Sequence, residues 1–572
     1  MAIFILAFIL RLTAANTVDI NPDEMAYAIH PINIISAGRL STQLQSTLYS
    51  YLSDVSYSLF GFDAISSRLP SILFGSFSVL VIYLISIQLF NNKKMGLFAA
   101  FLFAISGYAL KNNVEPDPTA FFFLLLSIFF FIKFLQEKNK YLYFSAITLG
   151  LAILCKVLPA LIIISYAIFY LMYCIKNPER SFLKKKDNKW RIDKKVLIPI
   201  LLSGLLLIVI VSPVFVYNYL LYKDTGITDY YFSTLLGIGE NLSKDLGGQE
   251  PWSLDFLKGI SKSKILEFAE RDLVLMILGL MGLIYLIIKK NKWTAFLLIS
   301  ILSLWLYLAG RTASGSHYII FLMLLSIPAG VILNLISEKI KSKWNKKYLN
   351  IALIVLIFIL AIHPSANFLF NGPSSTIEFR NFAQTISDNS IIIVDPLIYR
   401  GITAWALNDK HYLEGNYYGE LVNQLNQVNG QKITVPFYYI ECGRNSRCGW
   451  KPEDYDRVFN FSEGMSQVFK SQLPLVQEVK GHDIFTYIVY KGEIPITPNI
   501  YEAIDRTQQF YFYPVGWKYP EFAVDNYTLD GFFEKLLSKF GFFVLYINVL
   551  LALVSLIVVI FLIFKNKEEK TT

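Results

Sequence analysis

The sequence predicts an α-helical polytopic membrane protein of about twelve transmembrane helices, joined to a C-terminal extracytoplasmic domain of mixed α/β type. Three observations lead there. The 572 residues are 54% hydrophobic and only 17% charged, whereas soluble domains carry roughly a quarter charged residues. Apolar runs close to the roughly 20 residues that cross a bilayer recur along the chain. The connections between those runs alternate between strongly basic and acidic character, the mark of a chain that crosses a membrane repeatedly.

The spans are expected at residues 2–15, 69–89, 95–110, 118–135, 141–155, 157–175, 196–217, 272–288, 293–309, 317–336, 349–362 and 541–564. The first run, Ala2 to Leu10, lacks a basic segment before it, and Arg11 follows it, so it reads as a span rather than a signal-peptide core. With the N-terminus inside, NNKK at 91, the stretch from Lys176 to Lys195, KKNK at 289, EKIKSKWNKK at 338 and the tail KNKEEK all fall on the cytoplasmic side, as basic loops should. Loops 16–68, 111–117, 218–271 and 310–316 then lie outside. The division is a membrane module at 1–362, an extracytoplasmic domain at 363–540, and a last helix with a basic cytoplasmic tail at 541–572. A plasma-membrane location with the active face outside and the C-terminus in the cytoplasm follows from this topology.

Within 363–540 the continuous apolar pattern gives way to strand-like runs, SIIIVD at 390, KITVPFYYI at 432 and HDIFTYIVYK at 482. Helical stretches at 403 and 464 lie between them. Cys442 and Cys448 close the short polar loop ECGRNSRC and are expected to form a disulfide in an oxidising compartment. Cys155 and Cys174 fall in or beside apolar runs and read as small buried hydrophobes. The net charge of +9 is dispersed among inter-span connections and calls for no nucleic-acid partner.

Candidate chemistry concentrates in the loops placed outside. NPDEMAYAIHP offers the adjacent carboxylates Asp23 and Glu24, and KNNVEPDPTAF offers Glu115 and Asp117 in a short loop stiffened by two prolines. Either acidic pair would also suit a first helical turn. Cations stand nearby in the pattern. Lys156 lies among apolar residues, Arg68 leads into a span, and RTASGSHYII sets Arg311 and His317 in a short loop. An ammonium or guanidinium at such a depth snorkels to the interface or finds an anionic partner, and a lipid phosphate would serve. Glu115 and Asp117 are also oxygen ligands suited to a divalent cation, although no cofactor is required. Neither GxxxxGK[ST] nor a strand-flanked GxGxxG is present, so no nucleotide-phosphate site is indicated.

Four segments together resemble the GT-C glycosyltransferases, in particular the branch of protein O-mannosyltransferases and aminoarabinose transferases. They are PDEMAYA, SSRLPSILFGSFSVLVIYLI at 66, EPDPTAFFFLLLSIFFF at 115 and LGLAILCKVLPALII at 149. The resemblance covers the first 175 residues well and continues weakly through SHYIIFLMLLSIPAG at 316. It implies a sugar donor on a polyprenyl or dolichyl phosphate and a protein or glycan hydroxyl as acceptor. Asp23 matches the family's proposed base, with Glu24 beside it, and Glu115 and Asp117 fall near the sugar or acceptor site, where either is a rival base or a sugar-positioning acid. The cations Lys156, Arg68 and Arg311, with His317, are expected around the lipid phosphate. An inverting single displacement with a carboxylate base needs no covalent enzyme intermediate. The C-terminal block shows no β-trefoil pattern and no WWDYG-like segment, features of other members. An oligosaccharyltransferase or ligase moving a preassembled glycan is the nearer alternative, a polytopic transporter the more distant one.

Overall fold

In the computed structural model of the protein, the described residues are 1–20, 23–25, 27–29, 31, 40, 47–178, 181, 183–186, 189–226, 228–229, 252–310, 314–344, 347–415, 431–443, 448, 464, 466–483, 485–498 and 527–568. Every expected span coincides with helical structure. Among the described residues eight helices are long and apolar enough to cross a membrane: Ala64–Phe90, Asp117–Gln136, Leu158–Lys176, Lys194–Thr225, Leu254–Ile288, Lys292–Ala309, Ser316–Ile340 and Phe532–Lys565. The helices Ala2–Thr17, Lys93–Ala104, Lys140–Cys155 and Lys347–Ile362 are shorter. Two expectations need revision. The span expected at 95–110 is divided between Lys93–Ala104 and Gly107–Lys111. The loop assigned to 218–271 contributes most of the first half of helix Leu254–Ile288, which departs from helical geometry only at Asp272 (φ −137°, ψ 34°).

Burial separates central from peripheral helices. The most apolar windows of Asp117–Gln136 and Ser316–Ile340 are 94% and 89% buried, against 22% for Lys194–Thr225 and for Phe532–Lys565. A helix that is apolar on every side sits comfortably inside a bundle as well as against lipid. Phe121, Phe122, Phe123, Phe129 and Phe131 are all buried. Phe131 stacks on Tyr166 with ring centroids 4.0 Å apart. Small residues bring other helices together, since a methyl group at Gly282 would lie 2.2 Å from the Pro328 carbonyl oxygen and one at Gly330 2.5 Å from that of Met95. Such backbone approaches are the usual contact of helices in lipid.

The basic connection after Leu158–Lys176 contains an antiparallel pair, β1 (Leu183–Lys186) with β2 (Lys189–Ile192). The C-terminal domain is built on five strands, β3 (Ile391–Val394), β4 (His411–Glu414), β5 (Ile433–Cys442), β6 (Leu475–Lys480) and β7 (Thr486–Ile496). Their order is β4-β3-β5-β7-β6. β3 is parallel to both neighbours, while β7 is antiparallel to β5 and β6. The continuous apolar run Ile391–Val394 is wholly buried, as expected of a central parallel strand covered on both faces. Cys442 and Cys448 are joined in a disulfide.

This domain does not merely trail from the bundle. One of its core clusters includes Ile20, Met25, Ala28, Ile29 and Ala64 alongside Ile377, Phe379, Ile402 and Trp405. Arg380 reinforces the contact, donating from Nη2 to the Phe62 carbonyl at 3.1 Å and from Nη1 to Asp409 at 2.6 Å. The segment bearing Asp23 and Glu24 is therefore held between the helices and the sheet domain.

Candidate active site

The two most buried helices, Asp117–Gln136 and Ser316–Ile340, start side by side, and their first residues build the site. Pro116 precedes Asp117 as its N-cap and Pro118 follows within the first turn, so the chain enters the helix with little freedom. Asp117 Oδ1 lies 2.9 Å from His317 Nδ1. Ser316 Oγ stands 2.7 Å from Glu115 Oε2 and 3.1 Å from Asp117 Oδ2, so its single proton serves two carboxylates. Lys156 Nζ is 3.7 Å from Asp117 Oδ2 and donates to the Tyr27 hydroxyl at 2.9 Å, above whose ring it also sits. Lys156 itself occupies the break between Lys140–Cys155 and the 3₁₀ turn Leu158–Leu161, in an extended conformation. Ser71 Oγ fixes the backbone of the acidic loop by donating to the Glu115 carbonyl at 2.5 Å.

Burial and the adjacent Asp117 carboxylate hold the Glu115 carboxyl above its ordinary range. Two acids this close, in a site screened from water, ionise together only at considerable cost. Lys156 and His317 favour the charged forms.

The helical stretches 23–25 and 27–29 bring the first loop to this cluster. Asp23, in the first stretch, is exposed and lies four residues before Tyr27 in sequence. Its neighbour Glu24 is 2% exposed and faces the other way. There it forms an ion pair with Arg68, whose Nε bonds Glu24 Oε1 and whose Nη2 donates to Oε2 at 2.8 Å. Arg68 also donates to the carbonyls of Ala15, Val18 and Asp19, which occupies all five of its N–H groups. Arg68 and Glu24, expected at the lipid phosphate and in catalysis, thus meet each other in this structure. The pair ties the first loop to the start of Ala64–Phe90.

Of the expected site residues, Glu115, Asp117, Lys156 and His317 come together, Asp23 is exposed four residues before Tyr27, and Arg311 falls outside the described residues. His317, expected at the lipid phosphate, instead pairs with Asp117. Glu115, Asp117 and His317 can each direct one ligand atom to a common point, all within 4.8 Å of one another and all buried. Two carboxylates and an imidazole form a donor set suited to a divalent cation. Sequence reading did not single out Tyr27 and Ser316. Their signal was adjacency alone, since each lies within four residues of a recognised candidate.

Comparison with known proteins bears on the fold and on one segment. Solved structures of ArnT from Cupriavidus metallidurans superpose on most of the chain. The apo form gives a TM-score of 0.50 at 12% identity, covering 86% of this chain and 97% of that one. The form bound to undecaprenyl phosphate gives 0.51 at 12% identity, covering 86% and 96%. This chain has an ArnT-like fold. Within it, residues 45–217 match the family model described as dolichyl-phosphate-mannose-protein mannosyltransferase. A protein of Aquifex aeolicus (strain VF5) described as uncharacterized is 24% identical over 161 residues, which span 25% of this chain and 32% of that relative's length. The matched segment contains Arg68, Glu115, Asp117 and Lys156, whereas Asp23 and His317 lie outside it.

Proposed function

We propose that the protein is a membrane glycosyltransferase that moves a sugar from a polyprenyl-phosphate-linked donor to a hydroxyl acceptor at the end of the bundle covered by the sheet domain. The carrying observation is the buried cluster in which Lys156 lies between Asp117 and the Tyr27 hydroxyl while His317 and Ser316 bond the acids at 115 and 117, with the exposed Asp23 four residues before Tyr27. In this reading Asp23 accepts the proton of the attacking hydroxyl while Lys156 stabilises the departing lipid phosphate. Glu115 and Asp117, fixed by Ser316 and His317, orient the sugar. The anomeric carbon exchanges one oxygen substituent for another in a single inverting displacement. A nucleophile on the enzyme is unnecessary. The ArnT structure holding undecaprenyl phosphate supports this donor class by analogy of fold. A divalent cation between Glu115, Asp117 and His317 would add positive charge beside the leaving group. Transfer lowered by a chelator and restored by a divalent salt is the expected sign of that role.

The test is release of free polyprenyl phosphate from a radiolabelled polyprenyl-phosphate-sugar by purified protein, comparing wild type with Asp23→Asn. Loss of release by about a hundredfold or more in a variant that stays folded is the expected result for a base. Undiminished release would remove Asp23 from that role, and no release by wild type with any of a panel of sugars and acceptors would overturn the donor class.

A further inference from the structure

The acidic loop and the Ser316–His317 turn are separate in sequence, and a short helix, Gly107–Lys111, stands against both. Its Tyr108 hydroxyl donates to the Gly315 carbonyl at 2.9 Å. Asn112, at its C-terminal end, donates to the Tyr108 carbonyl at 2.9 Å. A methyl group on Gly315 would fall 2.4 Å from Asn112 Oδ1, so the two segments meet without intervening atoms. Whatever fixes this helix therefore fixes the distance between Glu115 and Asp117 on one side and Ser316 and His317 on the other.

The helix already has a local cap, Ser106, whose Oγ accepts from the Ala109 amide at 3.2 Å. A second acceptor arrives from far along the chain. Asp272 is 3% exposed, and its carboxylate accepts from Ser106 Oγ at 3.0 Å, the Gly107 amide at 3.1 Å and the Tyr108 amide at 2.8 Å. At this residue alone the long helix Leu254–Ile288 leaves helical geometry. Gly107 makes the approach possible, because a methyl there would stand 3.1 Å from the Arg271 carbonyl and 2.3 Å from Ser365 Oγ. A buried carboxylate is costly unless its oxygens are hydrogen-bonded, and here three donors from one short helix satisfy it. We infer that Asp272 is a positioning residue for the proposed glycosyl transfer, locking the Gly107–Lys111 helix so that the acidic loop and the Ser316–His317 turn are held in register.

The inference rests on the functional reading above, and two readouts separate them. Asp272→Asn keeps the side-chain shape but turns one acceptor into an amide donor facing backbone N–H groups. For this variant, kcat for polyprenyl-phosphate release should fall roughly tenfold to a hundredfold, the scale of a slight misplacement of reacting groups. KM for the lipid donor should stay near wild type, since Lys156 is untouched. Amide hydrogen exchange over residues 107–117 should accelerate in the same variant. Tyr108→Phe, which removes only the bond to Gly315, should lower kcat with no loss of thermal stability. Faster exchange with unchanged kcat would reduce Asp272 to an ordinary structural cap and overturn the proposal, as would unchanged exchange. If wild-type protein releases no polyprenyl phosphate, the functional reading fails, and the exchange measurement alone decides whether Asp272 holds the loop.

Discussion

Adjacent residues can take opposite roles when a helix turns them to different faces. Asp23 is exposed and Glu24 buried, although the sequence presents them as one acidic pair. Removing one partner of a buried ion pair leaves the other charge uncompensated, at a cost of about 3–5 kcal/mol. Arg68→Met and Glu24→Gln are therefore expected to lower the denaturation midpoint strongly in detergent, while Asp23→Asn leaves it nearly unchanged. A thermal shift assay on the three variants checks this, and equal midpoints would contradict the assignment. Lys156→Ala should raise KM for the lipid donor more than it lowers kcat, measured by steady-state release of polyprenyl phosphate.

Between elements, the site depends on close helix contacts that a hydropathy profile does not register. Gly282 lies against the backbone of Pro328 in Ser316–Ile340, the helix whose first residues are Ser316 and His317. Gly282→Ala forces a backbone shift, and overpacking of this kind typically costs about 1–3 kcal/mol. A lower melting temperature and reduced transfer are expected together. Gly204→Ala serves as the control, since nothing lies within 4 Å of its added methyl. The spans themselves were legible because length and apolarity are sufficient to mark them. Asp272 was not, because it falls where the expected loop 218–271 meets the expected span, and its partners lie 164 to 166 residues away.

Across the molecule, the sheet domain and the first loop share a core, and a carboxylate sits at the junction. Burial raises the Asp19 carboxyl above its ordinary value, against hydrogen bonds from Ser374 and Thr376 that favour its charged form, with Asp483 nearby adding to the rise. A carboxyl raised in the folded state contributes stability below its unfolded pKa and loses it as pH rises through the folded value. The melting temperature of wild type relative to Asp19→Asn should therefore decline as pH increases from the ordinary carboxylate range through that raised value. A difference independent of pH would show that Asp19 is not buried at this contact.

Sequence by itself determined the membrane character, the helix positions, the strands of the C-terminal domain and the loops that bear the acids, because all of these are written in runs of neighbouring residues. The pairing Cys442–Cys448 belongs to the same class, its partners being six residues apart. Tertiary structure decided the division of labour. It committed Arg68 to Glu24 rather than to a ligand, joined Lys156 to Tyr27 and Asp117, and set Ser316 between two carboxylates. Each of these depends on which helix ends meet, a consequence of how the helices pack. An apolar run marks each helix without naming the partner it packs on, so mutual fit assigned the residues at their ends.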